Sequence, residues 1–169
     1  MHRLITLALA IYSYFLIKTN IPRLPARIPT HFNAAGEANG WGSPDTLWFL
    51  LLVQVVICGL LLAMPLIGLR YPGSVHLGRR TLSDFGPEVR ARIMPFFTDM
   101  MGTMSVLLGL LFSFLLHGII QAASSSQPHF SPKWELGLFL AGMALTLIYY
   151  LGRIYAVTSE ALSGSSPKT

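Results

Sequence analysis

Apolar residues in this chain fall in blocks instead of alternating along it. Four stretches, about residues 3–21, 46–69, 100–123 and 134–157, are almost free of charge, and turn-forming and polar residues collect between them. Blocks of this length match helices that cross a bilayer, which need roughly 20 apolar residues for a ~30 Å core. The first block, Leu4 to Ile17, has fourteen residues and covers only about 21 Å. It is therefore expected to run on to Ile21, with Arg3 and Lys18 reaching toward the two interfaces, and to stop at Pro22. Ser43-Pro44-Asp45 supplies the second block with an N-cap serine, a proline at the first helical position and an acid at the positive end of the dipole. Pro65 is predicted to kink its last turns. The third block follows Asp99 and contains His117. The fourth opens on Ser131-Pro132, and Trp48 and Trp134 stand at matching depths, as in an interfacial belt. The pattern predicts an all-α integral membrane protein: four helices in an antiparallel bundle, one domain over residues 1–157.

Composition sharpens this picture. The chain of 169 residues is 53% apolar and 11% charged, whereas soluble proteins carry about a quarter charged residues. Such a chain lacks the polar surface a water-soluble globule needs. Cys58, the one cysteine, lies inside an apolar block, so neither a disulfide framework nor a thiolate metal cluster is expected. The formal charge of +5 sits at the ends of apolar blocks and in one loop, without the interleaved aromatics that bind single strands. Nucleic acid is not expected as a partner; the lipid bilayer is. Arg3, Arg70, Arg79, Arg80, Arg90, Arg92, Arg153 and Lys168 fall on one side of the predicted bundle, and Lys18, Arg23, Arg27 and Lys133 on the other. The positive-inside rule then puts both termini and the 70–99 loop in the cytoplasm and the 22–45 loop outside. A basic start before an apolar block also fits a signal peptide, but no small-x-small site precedes Lys18-Thr19-Asn20, which points to an uncleaved anchor.

The outward loop holds the candidate chemistry. Pro22, Pro25 and Pro29 favour extended backbone. A turn is expected at Asn33–Gly36 with Gly36 at positive φ, and a type I′ hairpin turn at Asn39-Gly40. Leu24, Ile28, Phe32 and Trp41 have apolar surface to bury, so the loop is expected to be an ordered cap over the helix ends. His31, Asn33, Glu37 and Asp45 are types that ligate a divalent metal, yet no second histidine lies close by. The expected role of His31 and Asn33 is to satisfy loop backbone groups and fix the hairpin. No catalytic, metal or cofactor site is assigned.

Within the blocks the polar side chains are few: Gln54, His117 and Arg153. Their scarcity near the midplane speaks against a conduction path. Arg153 is expected to snorkel to the interface beside Tyr149, Tyr150 and Tyr155, and His117 to bond across helices or meet the loop cap. Gly102, Ser105 and Gly109 on the third block, and Gly137, Ala141 and Ala144 on the fourth, would let helices approach closely. In the central loop, Pro87 and Glu88 are expected to begin a short interfacial helix with Val89, Ile93 and Phe96 on one side. Arg79, Arg80, Arg90 and Arg92 then mark a headgroup contact or a docking surface for a cytoplasmic partner. Residues 158–169 read as a disordered tail.

The stretch LPARIPTHFNAAGEANGWGSP, Leu24 to Pro44, resembles the motif of the domain of unknown function 1648 family. The motif has a Leu-Pro, then Ile/Val-Pro-x-His-Phe/Trp-Asn, a glycine, and an Asp/Asn-Gly pair just ahead of the next membrane helix. The matching positions are Leu24, Pro25, Ile28, Pro29, His31, Phe32, Asn33, Gly36, Asn39 and Gly40. With its flanking spans the likeness covers roughly the first 70 residues. The family usually has an aspartate where Asn39 stands, and often a lysine near Pro44, so no role needing a negative charge at position 39 is carried over. The family includes Sdp-type immunity proteins, longer membrane proteins that protect bacteria from a secreted toxin and relay its presence to a cytoplasmic repressor. The resemblance implies a bacterial inner-membrane protein, multi-pass and without enzymatic activity. Its loop, including Trp41, would recognise a secreted peptide or another membrane protein. Leu77-Gly78-Arg79-Arg80-Thr81 is similar, at different spacing, to a Gly-x-Arg-Thr loop of those proteins. Two alternatives stay open: an enzyme or metal site built on His31, Asn33 and Glu37, and an accessory subunit of a larger membrane complex.

Overall fold

The computed structural model describes residues 1–164. Four helices, α1 (His2–Asn20), α2 (Thr46–Arg70), α3 (Pro87–Ala123) and α4 (Lys133–Gly164), carry most of the chain. Each is long and apolar enough to cross a membrane. Two small antiparallel hairpins join them. β1 (Ile28–Phe32) and β2 (Ala38–Gly42) lie between α1 and α2; β3 (His76–Leu77) and β4 (Arg80–Thr81) lie between α2 and α3.

The first two helices end where local chemistry requires. α1 gives way to a single 3₁₀ turn, Ile21–Arg23, at Pro22. Ahead of α2, the Asp45 N–H donates to the Ser43 hydroxyl at 3.2 Å, and the N–H groups of Thr46, Leu47 and Trp48 each bond three residues back at 3.0 Å. Ser43 thus caps a lead-in turn, and the helix proper begins at Thr46.

α3 departs from expectation. It does not begin near Met100 behind a separate interfacial helix; it starts at Pro87 and runs unbroken for 37 residues. At 1.5 Å per residue that is about 56 Å, longer than a whole bilayer with its headgroups. Pro95 removes one ladder bond within it. Packing outweighs that loss: Ile93, Met94, Phe97 and Met100 form a buried cluster with Leu82, Ile154 and Val157. α4 is extended in the same way, through residues 158–164 that composition marks as a disordered tail, and Arg92 pairs with Glu160 at 2.6 Å beside that extension. Residues 165–169 of that tail lie outside the described residues.

α3 is the hub, and its contact face is narrow: Gly102, Ser105, Gly109 and Ser113 are all buried. The Thr6 and Ser105 hydroxyls pair at 3.1 Å and those of Ser13 and Ser113 at 2.9 Å, so α1 and α3 run in the same direction. On α2 the order is reversed. Gln54 Nε2 donates to the Gly109 carbonyl at 3.3 Å and to Ser113 Oγ at 3.4 Å, while Ser105 Oγ donates to the Cys58 carbonyl at 3.3 Å. Gln54 is 1% exposed, and its Oε1 has no partner among the described residues. α4 also opposes α3, with Phe139 beside Phe114 and Arg153 over the Phe96 ring at 4.9 Å. The small residues of α3 do hold close contacts: a Cβ on Gly102 would fall 2.7 Å from the His2 ring. Those of α4 do not, because Gly137 faces open space and Ala141 and Ala144 are exposed. Arg153 lies over the Phe96 ring of α3, and His117 is exposed on the wall of a groove shared with Tyr12 and Phe139.

Ser113→Ala removes the partner of Ser13 and one acceptor of Gln54. Reversible unfolding in mixed micelles should show a loss of about 0.6 kcal/mol, and no more than ~2, as for other interhelical bonds in a membrane. Ser113→Leu should cost more, because it wedges α1 and α2 off the hub.

Candidate functional site

The hairpin is built around one side chain. Asn33 Oδ1 accepts from the N–H groups of Ala35 at 2.9 Å and Glu37 at 3.0 Å, and its Nδ2 donates to Glu37 Oε2 at 2.9 Å. The backbone closes the turn with Asn33 N–H to Glu37 O and Gly36 N–H to Asn33 O, both 2.9 Å. Gly36 takes φ +90°, and any Cβ there would also meet Ser131 at 2.7 Å. The turn expected at Asn33–Gly36 is therefore present. The second, at Asn39-Gly40, is not: both residues lie in β2. Gly40 pairs with His31 at a register shift, and a Cβ on it would sit 2.8 Å from the His31 Cβ. Its glycine answers a close cross-strand approach, not a need for positive φ. Around this irregularity His31 Nδ1 bonds Asn39 Oδ1.

Each residue of the motif loop can now be placed. Pro25 is exposed ahead of β1. Pro29 is buried opposite Trp41, a residue that is itself 45% exposed. Ile28 is fully buried among Ile17, Leu47, Leu116 and Ile120 at this end of the helices. Phe32 meets Phe130 at 5.6 Å between ring centroids.

Phe130 belongs to the α3–α4 linker, a segment absent from the sequence-level candidates. Its N–H donates to the Gly36 carbonyl at 2.8 Å, and Glu37 bridges His129 through the backbone. The Phe130 ring lies against bare Gly118, where a Cβ would fall 2.1 Å from it. Hairpin and linker together wall a cavity of about 550 Å³ whose floor is Leu50, Leu115, Ile119 and Leu136, with His31, Asn33, Ser131 and Lys133 among its polar groups. The one available signal was Phe130 itself, a lone large apolar residue in a run of serines, prolines and a glutamine.

His31 is held by Asn39 and Glu37 by Asn33, so these groups are spent on the hairpin and not aimed at a common point. Asp45 takes a hydrogen bond from Ser43 at 3.2 Å. Among the described residues no three metal-capable side chains come together. The cavity itself is largely apolar, with a few polar groups in its wall.

The arginine group lies at the other end of α2. Arg79 and Arg80 are exposed at the β3–β4 turn, Arg92 is paired with Glu160, and Arg90 is half-buried in the second turn of α3. A capping box holds the adjoining segment: the Thr81 N–H donates to Asp84 Oδ2 at 2.7 Å. That backbone bond, helped by the Thr81 hydroxyl and the Arg80 charge, holds the fully exposed Asp84 carboxyl below the ordinary aspartate value.

Residues 4–55, which cover α1, the hairpin and the start of α2, match the model of a domain of unknown function, DUF1648. No curated protein and no solved structure matches the chain.

Asn33→Ala removes the acceptor of two solvent-exposed turn N–H groups and should cost about 0.5–1.5 kcal/mol, seen as reduced abundance of monodisperse protein in detergent. Asn39→Ala, which frees an exposed histidine, should cost clearly less. For Asp84, the folded pKa lies below the unfolded one, so its contribution is complete above the ordinary carboxylate range and fades as pH falls through the folded value. A carboxyl titration by NMR should place its midpoint below about 3.9, and Arg80→Gln should raise it only slightly, since the Thr81 N–H is the larger cause.

Proposed function

We propose that this chain, which carries the DUF1648 domain over residues 4–55, is a multi-pass bacterial inner-membrane recognition protein without enzymatic activity. It takes an apolar segment of a secreted peptide, or of another membrane protein, into the cavity under its hairpin. In this reading the four helices form an antiparallel bundle with both termini in the cytoplasm and the hairpin outside, as the surplus of arginines around β3, β4 and the start of α3 favours. The observation that carries the proposal is the cavity itself: about 550 Å³, floored by aliphatic side chains, roofed by Phe32 and Phe130, with a lysine and hydrogen-bonding groups alongside. Apolar walls with a few convergent polar groups are what a binding site for an amphipathic segment requires. An immunity-type or signalling role follows if the occupant is a toxic peptide.

Ala34→Trp fills the cavity from the exposed corner of the turn, where it touches none of the Asn33 bonds. Cells making the wild-type chain should resist, or respond to, the peptide fraction secreted by the source organism. Cells making Ala34→Trp at equal abundance should not. Equal protection by the two proteins would overturn the cavity as the recognition site.

A further inference from the structure

At the pole opposite the hairpin, the end of α2, Pro72 and Leu82 of the turns flanking β3 and β4, and the start of α3 line a second cavity of about 450 Å³. Its walls are apolar, with Leu69, Leu82 and Met94 prominent, and its one charged lining group is Arg90. The Arg90 Nε is fully buried and has no hydrogen-bond partner among the described residues. A guanidinium N–H out of water and without an acceptor is costly, more so than a neutral donor.

Among the described residues no acid meets that need. Asp84 is committed to the Thr81 N–H and Glu160 to Arg92. Glu88 is exposed and does not line the cavity. Between residues 70 and 92 the chain carries five arginines against two acids, so the local charge is strongly positive. An anion brought from outside would supply the missing acceptor at Nε and offset the local positive charge. The walls set its second property: Leu69 closes the apolar run of α2, and Met94 lies in the buried apolar cluster of α3. An anion entering here has its charge at Arg90 and apolar surface on the remaining sides. Inorganic phosphate satisfies only the first condition.

We infer that this cavity binds the head group of an anionic phospholipid, with the phosphate accepting from Arg90 and the first part of an acyl chain lying against Leu69 and Met94. Arg90 is suited to the task because a guanidinium recognises phosphate with directed, charge-assisted bonds. The cavity sits where α2 ends and where α3, too long for the bilayer, emerges from it, which is the depth of lipid head groups. Arg92, two residues on and so on the other side of the same helix, does not line the cavity and pairs with Glu160.

The test is retention of lipid by the detergent-solubilised full chain in native mass spectrometry, after exchange into micelles doped with phosphatidylglycerol or phosphatidylcholine. The expected result is one retained phosphatidylglycerol per chain and no retained phosphatidylcholine. Arg90→Gln should weaken retention about tenfold or more, the cost of a lost charge-assisted bond, whereas Arg92→Gln should stay within about twofold of wild type. Ala91→Trp, which fills the cavity while leaving Arg90 in place, should also abolish retention, so the inference does not hang on one variant. Unchanged retention in Arg90→Gln, equal retention of phosphatidylcholine, or full competition by inorganic phosphate would each overturn it.

Discussion

The narrow face of α3 is the constraint on which the rest of the molecule depends. Backbone and hydroxyl groups at the middle of a bilayer have no water to bond, so they must be paired inside the protein. Gly102, Ser105, Gly109 and Ser113 bring α1 and α2 close enough for that pairing, through Thr6, Ser13, Gln54 and the Cys58 carbonyl. The outside is arranged in the opposite sense. Leu138, Leu140 and Ile148 are 74%, 66% and 70% exposed, a surface that suits lipid tails and not water. Polar contacts within and aliphatic side chains without is the partition expected when association of helices has little hydrophobic drive behind it.

Apolar clusters close the two ends of this seam and carry the two candidate sites. At one end Ile28 anchors the hairpin among Ile17, Leu47, Leu116 and Ile120. The linker before α4 reaches over it, pinned by the Phe130 ring on Gly118 and by the Gly36 carbonyl. At the other end Ile93, Met94 and Phe97 hold the protruding turns of α3 to Leu82, Ile154 and Val157. Each pole has an apolar cavity with a basic residue in its wall, Lys133 at the hairpin end and Arg90 at the other.

Much of the hairpin site was legible locally. Asn33 followed by Gly36 specifies a turn through side-chain bonds and positive φ, both of which act within five residues. Asn39-Gly40 carried an equally strong local signal and was misread, because the space that demands glycine there is created by His31 on the facing strand. The far wall was not legible at all. Phe130 lies almost a hundred residues from Phe32, and no pattern along the chain relates the two.

The sequence by itself determined four apolar helices, the ends of the first two, and the turn that organises the hairpin, since each depends on hydropathy over one turn or on neighbouring hydrogen-bonding groups. Tertiary structure decided how far α3 and α4 extend, which small residues face a partner, and what encloses the two cavities. The helix begun at Pro87 is packed against Leu82, Ile154 and Val157 and runs without a break into the third apolar block, and nothing packs against Gly137. Those outcomes are set by contacts between residues far apart in the chain, which hydropathy and local propensity do not encode.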